Sequence, residues 1–312
     1  MQCDLVLEGG GVKGIGLVGA ISELVQEGYT FNRVAGTSAG AIVGSLVAAG
    51  MAPSQLLSLM GTLDYTKFRD KGLLDQFSLP GQGVSLLFEK GVYEGKYLQQ
   101  LLVDELAKLG VRTFADLKLK EPWAKKLPPE QRYKLVVIVS DVSRGRLVRL
   151  PWDYAAYGLD PDKQLVADAV RASMSIPFFY EPVNLKGLYL VDGGLLSNFP
   201  ITIFDDHNDW PTFGVKLSAK ADALTEMNPV SSPLDYALAI LGTATNAHDK
   251  MHIDNPCTQK RTIFVDTFDV KATDFDIDAE QQQELFKSGQ KAGKAFLKGW
   301  DYKAYQKACP IR

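Results

Sequence analysis

Two glycine-rich turns near the start of the chain constrain its fold more than any other feature. They occupy residues 9–14 and residues 36–40, and each directly follows a short apolar segment. Glycine is needed where a Cβ would collide with a tight turn or keep a ligand from approaching the backbone. An apolar helical pattern follows each turn. The opening of the chain therefore predicts a strand–helix–strand–helix unit, the start of a parallel α/β sheet.

The same alternation of apolar strands and helices runs through the rest of the chain. Strands are predicted over about 3–7, 31–35, 134–140, 146–150, 187–191, 213–217 and 262–265. Helices are predicted over about 14–27, 39–49, 95–109, 164–173, 234–249 and 279–297, with shorter helical pieces over 54–63 and 83–90. Asp278 and Gln281 form a capping-box pattern at the start of the last helix.

The 312 residues divide into a large core and a smaller C-terminal part. We expect a catalytic core over residues 1–217, with a lid-like insertion over about 53–92, where the pattern is looser. Residues 218–312 are expected to pack on the same domain. No charged residue lies between Arg33 and Asp64, but glycines and a proline interrupt this apolar stretch. A buried strand and helix are therefore predicted there rather than a membrane span.

Charge and cysteine content bear on partners and compartment. The net charge of −3 gives no indication of nucleic acid as a partner. Cys3, Cys257 and Cys309 are too few and too far apart to predict a disulfide framework or a zinc site. They fit a reducing compartment, and no secretory signal pattern precedes the first strand. We therefore expect a cytoplasmic protein, peripheral at membranes, while secretion by a signal-less route stays open.

The first turn offers a row of backbone N–H groups at a helix N-terminus, an arrangement that holds negative charge. Its Gly9-x-Gly11-x-x-Gly14 spacing also matches a dinucleotide-binding fingerprint. A dinucleotide site needs an acidic residue at the end of the next strand, about 20 residues further on. That strand ends at Gly36 without a carboxylate. The absence of that carboxylate argues against a nucleotide and favours an oxyanion.

The second turn, Gly36-Thr-Ser-Ala-Gly40, is a G-x-S-x-G pattern. Between an apolar strand and an apolar helix, this pattern is typical of a nucleophile elbow that exposes Ser38. The alternative is a small-residue turn in which Ser38 only caps the helix. A serine hydroxyl also needs a nearby base to become a good nucleophile.

Asp192 is the carboxylate whose setting fits a catalytic base. It ends a predicted strand and is followed by Gly193 and Gly194. Because strand ends at one edge of a parallel sheet meet in space, Asp192 can approach Ser38 despite the distance in sequence. The alternative is an ordinary turn, where Asp and Gly are the expected residues.

Taken together, these motifs resemble the patatin-like phospholipase family. The resemblance covers about residues 3–217 and includes the segments 171–177 and 198–200. It implies a three-layer α/β/α sandwich with a mainly parallel central sheet. It also implies that Ser38 is the nucleophile, that Asp192 is the base, and that the turn supplies the oxyanion hole. The implied oxyanion-hole glycines are Gly9, Gly10 and Gly11, and the supporting motif glycines are Gly14, Gly36, Gly40, Gly193 and Gly194.

An α/β-hydrolase triad is the nearest alternative enzyme, because a histidine that follows Asp192 would complete its Ser–acid–His order. That fold normally has several strands before its elbow, whereas Ser38 follows the second strand. The three histidines, His207, His248 and His252, lie outside glycine-rich or strand-end settings. His248 and His252 are four residues apart, but an exposed helix end is expected there rather than a metal site. The order of elements favours a Ser–Asp dyad.

The resemblance implies a lipid acyl hydrolase that cleaves fatty-acyl esters of phospholipids or related lipids through an acyl-enzyme. No metal or cofactor is needed for this chemistry. Two alternatives stay open: an acyltransferase, which differs in the acceptor of the acyl group, and a non-catalytic lipid-binding relative. The sequence does not specify the head group, the ester position, the chain length or the oligomeric state.

Overall fold

The computed structural model describes residues 1–63, 95–206, 209–217, 252–272 and 274–310, and residues 236, 239–240, 242–243 and 249. Several predicted features lie outside the described residues. These are the helical piece over 83–90, most of the lid-like insertion, most of the helix over 234–249, His207 and His248.

The described strands form one central sheet. They are β1 Gln2–Leu7, β2 Thr30–Thr37, β3 Leu135–Asp141, β4 Arg146–Leu150, β5 Val183–Leu185, β6 Leu188–Asp192, β7 Thr212–Lys216 and β8 Thr262–Phe264. The path of hydrogen-bonded neighbours through the sheet is β5-β6-β3-β2-β1-β7-β8, and β4 also pairs with β3. Strands β3, β2, β1, β7 and β8 are parallel, while β4 and β6 run antiparallel to β3.

Helices flank this sheet, so the predicted α/β/α fold class is confirmed. They are α1 Ile15–Gln26, α2 Ala39–Ala48, α3 Pro53–Thr62, α4 Lys96–Lys108, α5 Val166–Ser173, α6 Pro256–Lys260, α7 Ala279–Gly299 and α8 Tyr302–Ala308. The capping box predicted before α7 is present, with bonds in both directions between Asp278 and Gln281. Within the described part of the chain, no helix combines the length and the hydrophobicity needed to cross a bilayer.

Three short elements, β5, α6 and α8, were not predicted. Strand β5 has three residues, too few for an alternating pattern to be recognised. Helix α8 has no fully buried residue, so it lacks a clear apolar stripe. Its aromatic residues pack instead against Trp300, with ring centroids 6.3 Å away for Tyr302 and 5.2 Å away for Tyr305.

The cysteine prediction was wrong for two of the three residues. Cys257 and Cys309 form a disulfide across 52 residues of sequence, with their Cα atoms 5.7 Å apart. Folding brings α6 and the end of α8 together, a proximity that the spacing of cysteines in sequence does not reveal. Cys3 is free and buried. Structural disulfides persist in oxidising compartments, so this pair does not support the argument for a reducing compartment.

The C-terminal helix α7 packs directly on α1 through glycines. A Cβ on Gly289 would lie 2.1 Å from the carbonyl oxygen of Gly16, and one on Gly19 would lie 2.1 Å from the carbonyl oxygen of Phe286. Backbones can approach this closely only where side chains are absent. The C-terminal segment is thus part of the same packed structure as β1 and α1, while a domain boundary at residue 217 stays a prediction.

Candidate active site

Ser38 lies in the sharp turn between β2 and α2, as predicted. Its backbone has φ 51° and ψ −122°, a conformation that L-residues rarely adopt. The flanking glycines are required by close packing. A Cβ on Gly36 would lie 2.2 Å from the carbonyl oxygen of Gly40, and one on Gly40 would lie 2.4 Å from that of Leu7. This strained strand-to-helix turn has the geometry of a nucleophile elbow.

Ser173, the last residue of α5, links the elbow to β3. Its hydroxyl accepts a hydrogen bond from the Ser38 N–H at 2.9 Å and donates one to the carbonyl oxygen of Ile138 at 2.6 Å. Ser173 is fully buried, so both bonds are shielded from water. The segment 171–177 was recognised from sequence, but the part played by this serine was not.

Asp192 meets Ser38 because β2 and β6 share one edge of β3. Thr37 of β2 pairs with Ile138, and Asp192 of β6 pairs with the next residue, Val139. Strand β4 occupies the opposite edge along the same residues. The sequence predicts neighbouring parallel strands here, but β6 is antiparallel to β3. The C-terminal ends of β2 and β6 therefore run towards each other and bring the serine and the aspartate together.

Burial raises the pKa of the Asp192 carboxyl to about 6, while hydrogen bonds from the Gly194 N–H and from Ser38 act in the opposite direction. The Gly194 bond is 2.7 Å long, and Asp192 is 5% exposed. A carboxylate with this pKa is ionised at neutral pH and is a stronger base than an exposed aspartate. The contact with Ser38 gives the hydroxyl proton a direct acceptor.

The first glycine turn lies beside the elbow. A Cβ on Gly9 would lie 3.0 Å from the Cβ of Ser38, and one on Gly14 would lie 3.3 Å from that of Ala39. The N–H of Gly9 donates to the carbonyl oxygen of Asn198 at 3.2 Å, so it is not available to an oxyanion. Of the predicted donors, Gly10 and Gly11 have N–H groups with no hydrogen bond inside the described part of the chain.

The loop after β8 closes over this turn. The N–H of Val12 donates to the carbonyl oxygen of Ala272 at 3.1 Å, and a Cβ on Gly11 would lie 1.9 Å from the same oxygen. Gly11 also has φ +56°, so glycine is required there on two grounds. The loop that contains Ala272 belongs to the C-terminal third, in which the sequence shows no recognisable motif.

An apolar pocket opens beside Ser38. Its volume is about 530 Å³ including the open mouth. Its lining consists of Gly11, Val12, Ser38, Ala39, Ile42, Met60, Leu63, Leu98, Met174, Ile176, Tyr180 and Phe275. Apart from Ser38 and the Tyr180 hydroxyl, the lining side chains carry no hydrogen-bonding group, so the pocket suits a hydrocarbon chain.

None of the described residues that line the pocket is a histidine. His252 is exposed, while His207 and His248 lie outside the described residues. The described side chain that contacts Ser38 as a possible base is therefore Asp192. Groups of three or more side chains able to hold a metal ion do not occur in the described part of the chain.

The chain is similar in sequence to a known family and to several known proteins. The family model for patatin-like phospholipases matches residues 5–205. The uncharacterized protein YqhO of Bacillus subtilis (strain 168) is 37% identical over 306 residues, which cover 97% of this chain and 100% of YqhO. Lysophospholipase nte1 of Emericella nidulans is 27% identical over 244 residues, or 73% of this chain and 14% of that protein.

The crystal structure of VipD from Legionella pneumophila has a similar fold. It superposes with a TM-score of 0.55 at 20% identity, covering 95% of this chain and 66% of VipD. At that level of identity the likeness shows the fold alone. The family model and the full-length relative show the relationship directly. The chain belongs to the patatin-like phospholipase family.

Proposed function

We propose that this protein is a serine hydrolase that cleaves fatty-acyl esters of phospholipids or related lipids. The observation that carries the proposal is the contact between Ser38, on its strained elbow, and the buried Asp192 carboxylate, beside an apolar pocket. Membership of a family of lipid hydrolases supports the same conclusion.

In the first half of the reaction the Ser38 Oγ attacks the ester carbonyl carbon while the Asp192 carboxylate takes the hydroxyl proton. The carbonyl oxygen becomes an oxyanion that accepts hydrogen bonds from the Gly10 and Gly11 N–H groups. As the tetrahedral intermediate collapses, the bond to the alcohol breaks and Asp192 returns the proton to the leaving oxygen. Ser38 is left esterified to the fatty acid.

In the second half, the alcohol has left the site and a water molecule attacks the acyl-enzyme. Asp192 takes a proton from the water, whose oxygen attacks the acyl carbon and forms a second oxyanion in the same cradle. Collapse releases the fatty acid, and the proton on Asp192 returns to the Ser38 Oγ. The two halves use the same base and the same donors, so no third catalytic side chain is required.

The pocket supports a lipid substrate. An acyl chain placed against Met60, Leu98 and Phe275 would bury hydrocarbon, which is favourable by about 25 cal/mol for each Å² removed from water. Lysophospholipids and diacyl phospholipids share such chains. The lysophospholipase activity in the printed name of the Emericella nidulans relative fits this substrate class.

The test combines a labelled fluorophosphonate with product analysis on a mixed lipid panel. The wild-type protein should label at Ser38 and release fatty acids, and Ser38→Ala should lose both properties while remaining folded. Ser45→Ala is a matched control on α2, because its buried hydroxyl bonds within the helix, to the carbonyl oxygen of Ile42. Turnover at the wild-type rate in Ser38→Ala would overturn the proposal.

A further inference from the structure

Asn198 lies between the first glycine turn and the turn that follows Asp192. A Cβ on Gly9 would lie 2.2 Å from the Oδ1 atom of Asn198, and one on Gly194 would lie 3.0 Å from the same atom. The asparagine side chain therefore occupies the space that these two glycines leave open. The mechanism proposed above assigns no part to it.

Asn198 and Gly9 are joined by two hydrogen bonds. The Gly9 N–H donates to the Asn198 carbonyl oxygen at 3.2 Å, and the Asn198 Nδ2 donates to the Gly9 carbonyl oxygen at 3.1 Å. Asn198 is anchored in turn, because its own N–H donates to the Oδ2 of the buried Asp249 at 3.1 Å. Both polar groups of the Gly9 backbone are thus fixed by one residue.

Fixing the Gly9 carbonyl also fixes the next amide. The Gly9–Gly10 peptide bond is trans. In a planar trans peptide the C=O and the following N–H point in opposite directions. Holding the Gly9 carbonyl towards Asn198 therefore directs the Gly10 N–H away from Asn198. Without that bond, the peptide could rotate and present a carbonyl oxygen where a donor is needed.

Ser197, next to Asn198, links the same segment to the serine elbow and to the turn after Asp192. The Thr37 hydroxyl, next to Ser38, donates to the Ser197 carbonyl oxygen at 3.1 Å. The Ser197 N–H donates to the Gly193 carbonyl oxygen at 2.9 Å. Residues 197–198 thus contact the elbow, the turn after Asp192 and the glycine turn.

We propose that Asn198 is a positioning residue that holds the Gly9–Gly10 peptide in the orientation in which the Gly10 N–H stabilises the oxyanion. This inference rests on the proposed function. It gives the Nδ2 of Asn198 a role distinct from proton transfer. Loss of that donor should raise the free energy of the transition state more than that of the bound substrate, because the oxyanion forms only as the reaction proceeds.

The test compares Asn198→Ala with the wild type on a soluble short-chain ester. We expect kcat to fall about 10- to 100-fold with KM within about twofold, somewhat less than the 100- to 1000-fold typical when a donor is removed outright. A trifluoromethyl ketone, which forms a similar oxyanion with Ser38, should bind more weakly in proportion to the loss in kcat/KM. The acidic limb of the pH–rate profile should stay in place, because Asp192 is unaltered.

Asn184→Ala is the matched control. The Asn184 Oδ1 accepts a hydrogen bond from the Gly187 N–H at 2.9 Å in an exposed turn, so this variant loses an asparagine–glycine contact outside the site. It should keep the wild-type kcat. Asn198→Asp keeps the side-chain shape but lacks the Nδ2 donor. Measured on the plateau of its own pH profile, it decides the question if Asn198→Ala does not fold.

The inference is overturned if a folded Asn198 variant keeps kcat within twofold of wild type, or if its loss appears in KM alone. Proportional loss of soluble protein and of activity, with unchanged turnover per labelled serine, would indicate a merely structural role and also overturn it. A wild-type protein that neither labels nor hydrolyses would instead reject the proposed function, and the inference with it.

Discussion

Asp192 holds a negative charge at neutral pH in a position that is almost closed to solvent. Burial raises the pKa of its carboxyl to about 6, above the 3.8 of an ordinary aspartate. As pH rises, the carboxyl therefore ionises in the unfolded chain before it ionises in the folded protein. The free energy of unfolding falls as pH rises between these two pKa values. The difference between these two pKa values means that the ionised carboxylate destabilises the folded protein by about 3 kcal/mol at pH 7.

Asp192→Asn should therefore be more stable than the wild type at pH 7, by about 3 kcal/mol, although it is expected to be inactive. The amide oxygen can still accept the Gly194 N–H. The gain should shrink as pH falls from about 6 towards about 3, below both pKa values, where the wild-type carboxyl is protonated in the folded and the unfolded state. Urea unfolding at several pH values measures this difference.

Asp254→Asn provides the control, because Asp254 is exposed. Its effect should stay within about 0.5 kcal/mol at every pH. Equal stabilities of wild type and Asp192→Asn at pH 7 would contradict the raised pKa.

At the scale of elements, the two glycine turns were predictable because their chemistry is local. Each turn can be recognised from a short stretch of sequence, which contains its glycines, the apolar strand before it and the helical pattern after it. The direction of β6 did not, since the same apolar run fits a parallel or an antiparallel strand. The meeting of Ser38 and Asp192 was therefore predicted correctly, but from the wrong strand geometry.

The contact between α1 and α7 could not be predicted from the sequence either. Gly16, Gly19 and Gly289 allow close packing between two helices that lie some 270 residues apart in the chain. Gly289→Ala should destabilise the protein by about 1–3 kcal/mol, since its Cβ would meet backbone atoms that cannot move independently. Gly299→Ala, at the exposed end of the same helix, has nothing within 4 Å of its added Cβ. It should be neutral or stabilising by up to about 1 kcal/mol.

Thermal unfolding of the two variants checks this prediction. Equal melting temperatures for Gly289→Ala and the wild type would show that the helices separate without cost, and would contradict the close packing described above.

At the scale of the whole molecule, the C-terminal third completes the site. Ala272 bonds to the glycine turn, and Phe275 lines the pocket and stacks on Phe179 with ring centroids 5.5 Å apart. The family model ends at residue 205, whereas the similarity to YqhO extends over 97% of the chain. These residues carry no motif because their roles depend on shape and on backbone contacts. Sequence patterns therefore located the proposed nucleophile and the proposed base but not the groups that enclose them.

The disulfide closes a long loop that contains Ala272 and Phe275. Titration of thiols under denaturing, non-reducing conditions should detect one free cysteine, Cys3. Reduction should lower the free energy of unfolding by about 2–4 kcal/mol, because the unfolded chain regains freedom that the cross-link removes. Three titratable thiols in freshly purified protein would contradict the pairing, and would favour the reducing compartment first expected from sequence.

The central claim is that Asp192 serves Ser38 directly, without a histidine. An inflection near pH 6 cannot test it alone, because the pKa of Asp192 lies close to that of histidine. The direct measurement is the initial hydrolysis rate of a soluble short-chain ester by four proteins: wild type, Ser38→Ala, Asp192→Asn, and the triple variant His207→Ala, His248→Ala, His252→Ala. Each variant is first shown to be folded by its thermal unfolding.

Asp192→Asn should lose nearly all activity, as Ser38→Ala should, because a neutral amide cannot take the serine proton. The triple histidine variant should stay within about an order of magnitude of the wild type, whereas loss of a triad histidine would cost several orders of magnitude. If a folded histidine variant loses as much activity as Ser38→Ala while Asp192→Asn stays active, the Ser–Asp dyad is wrong and a Ser–His triad is favoured.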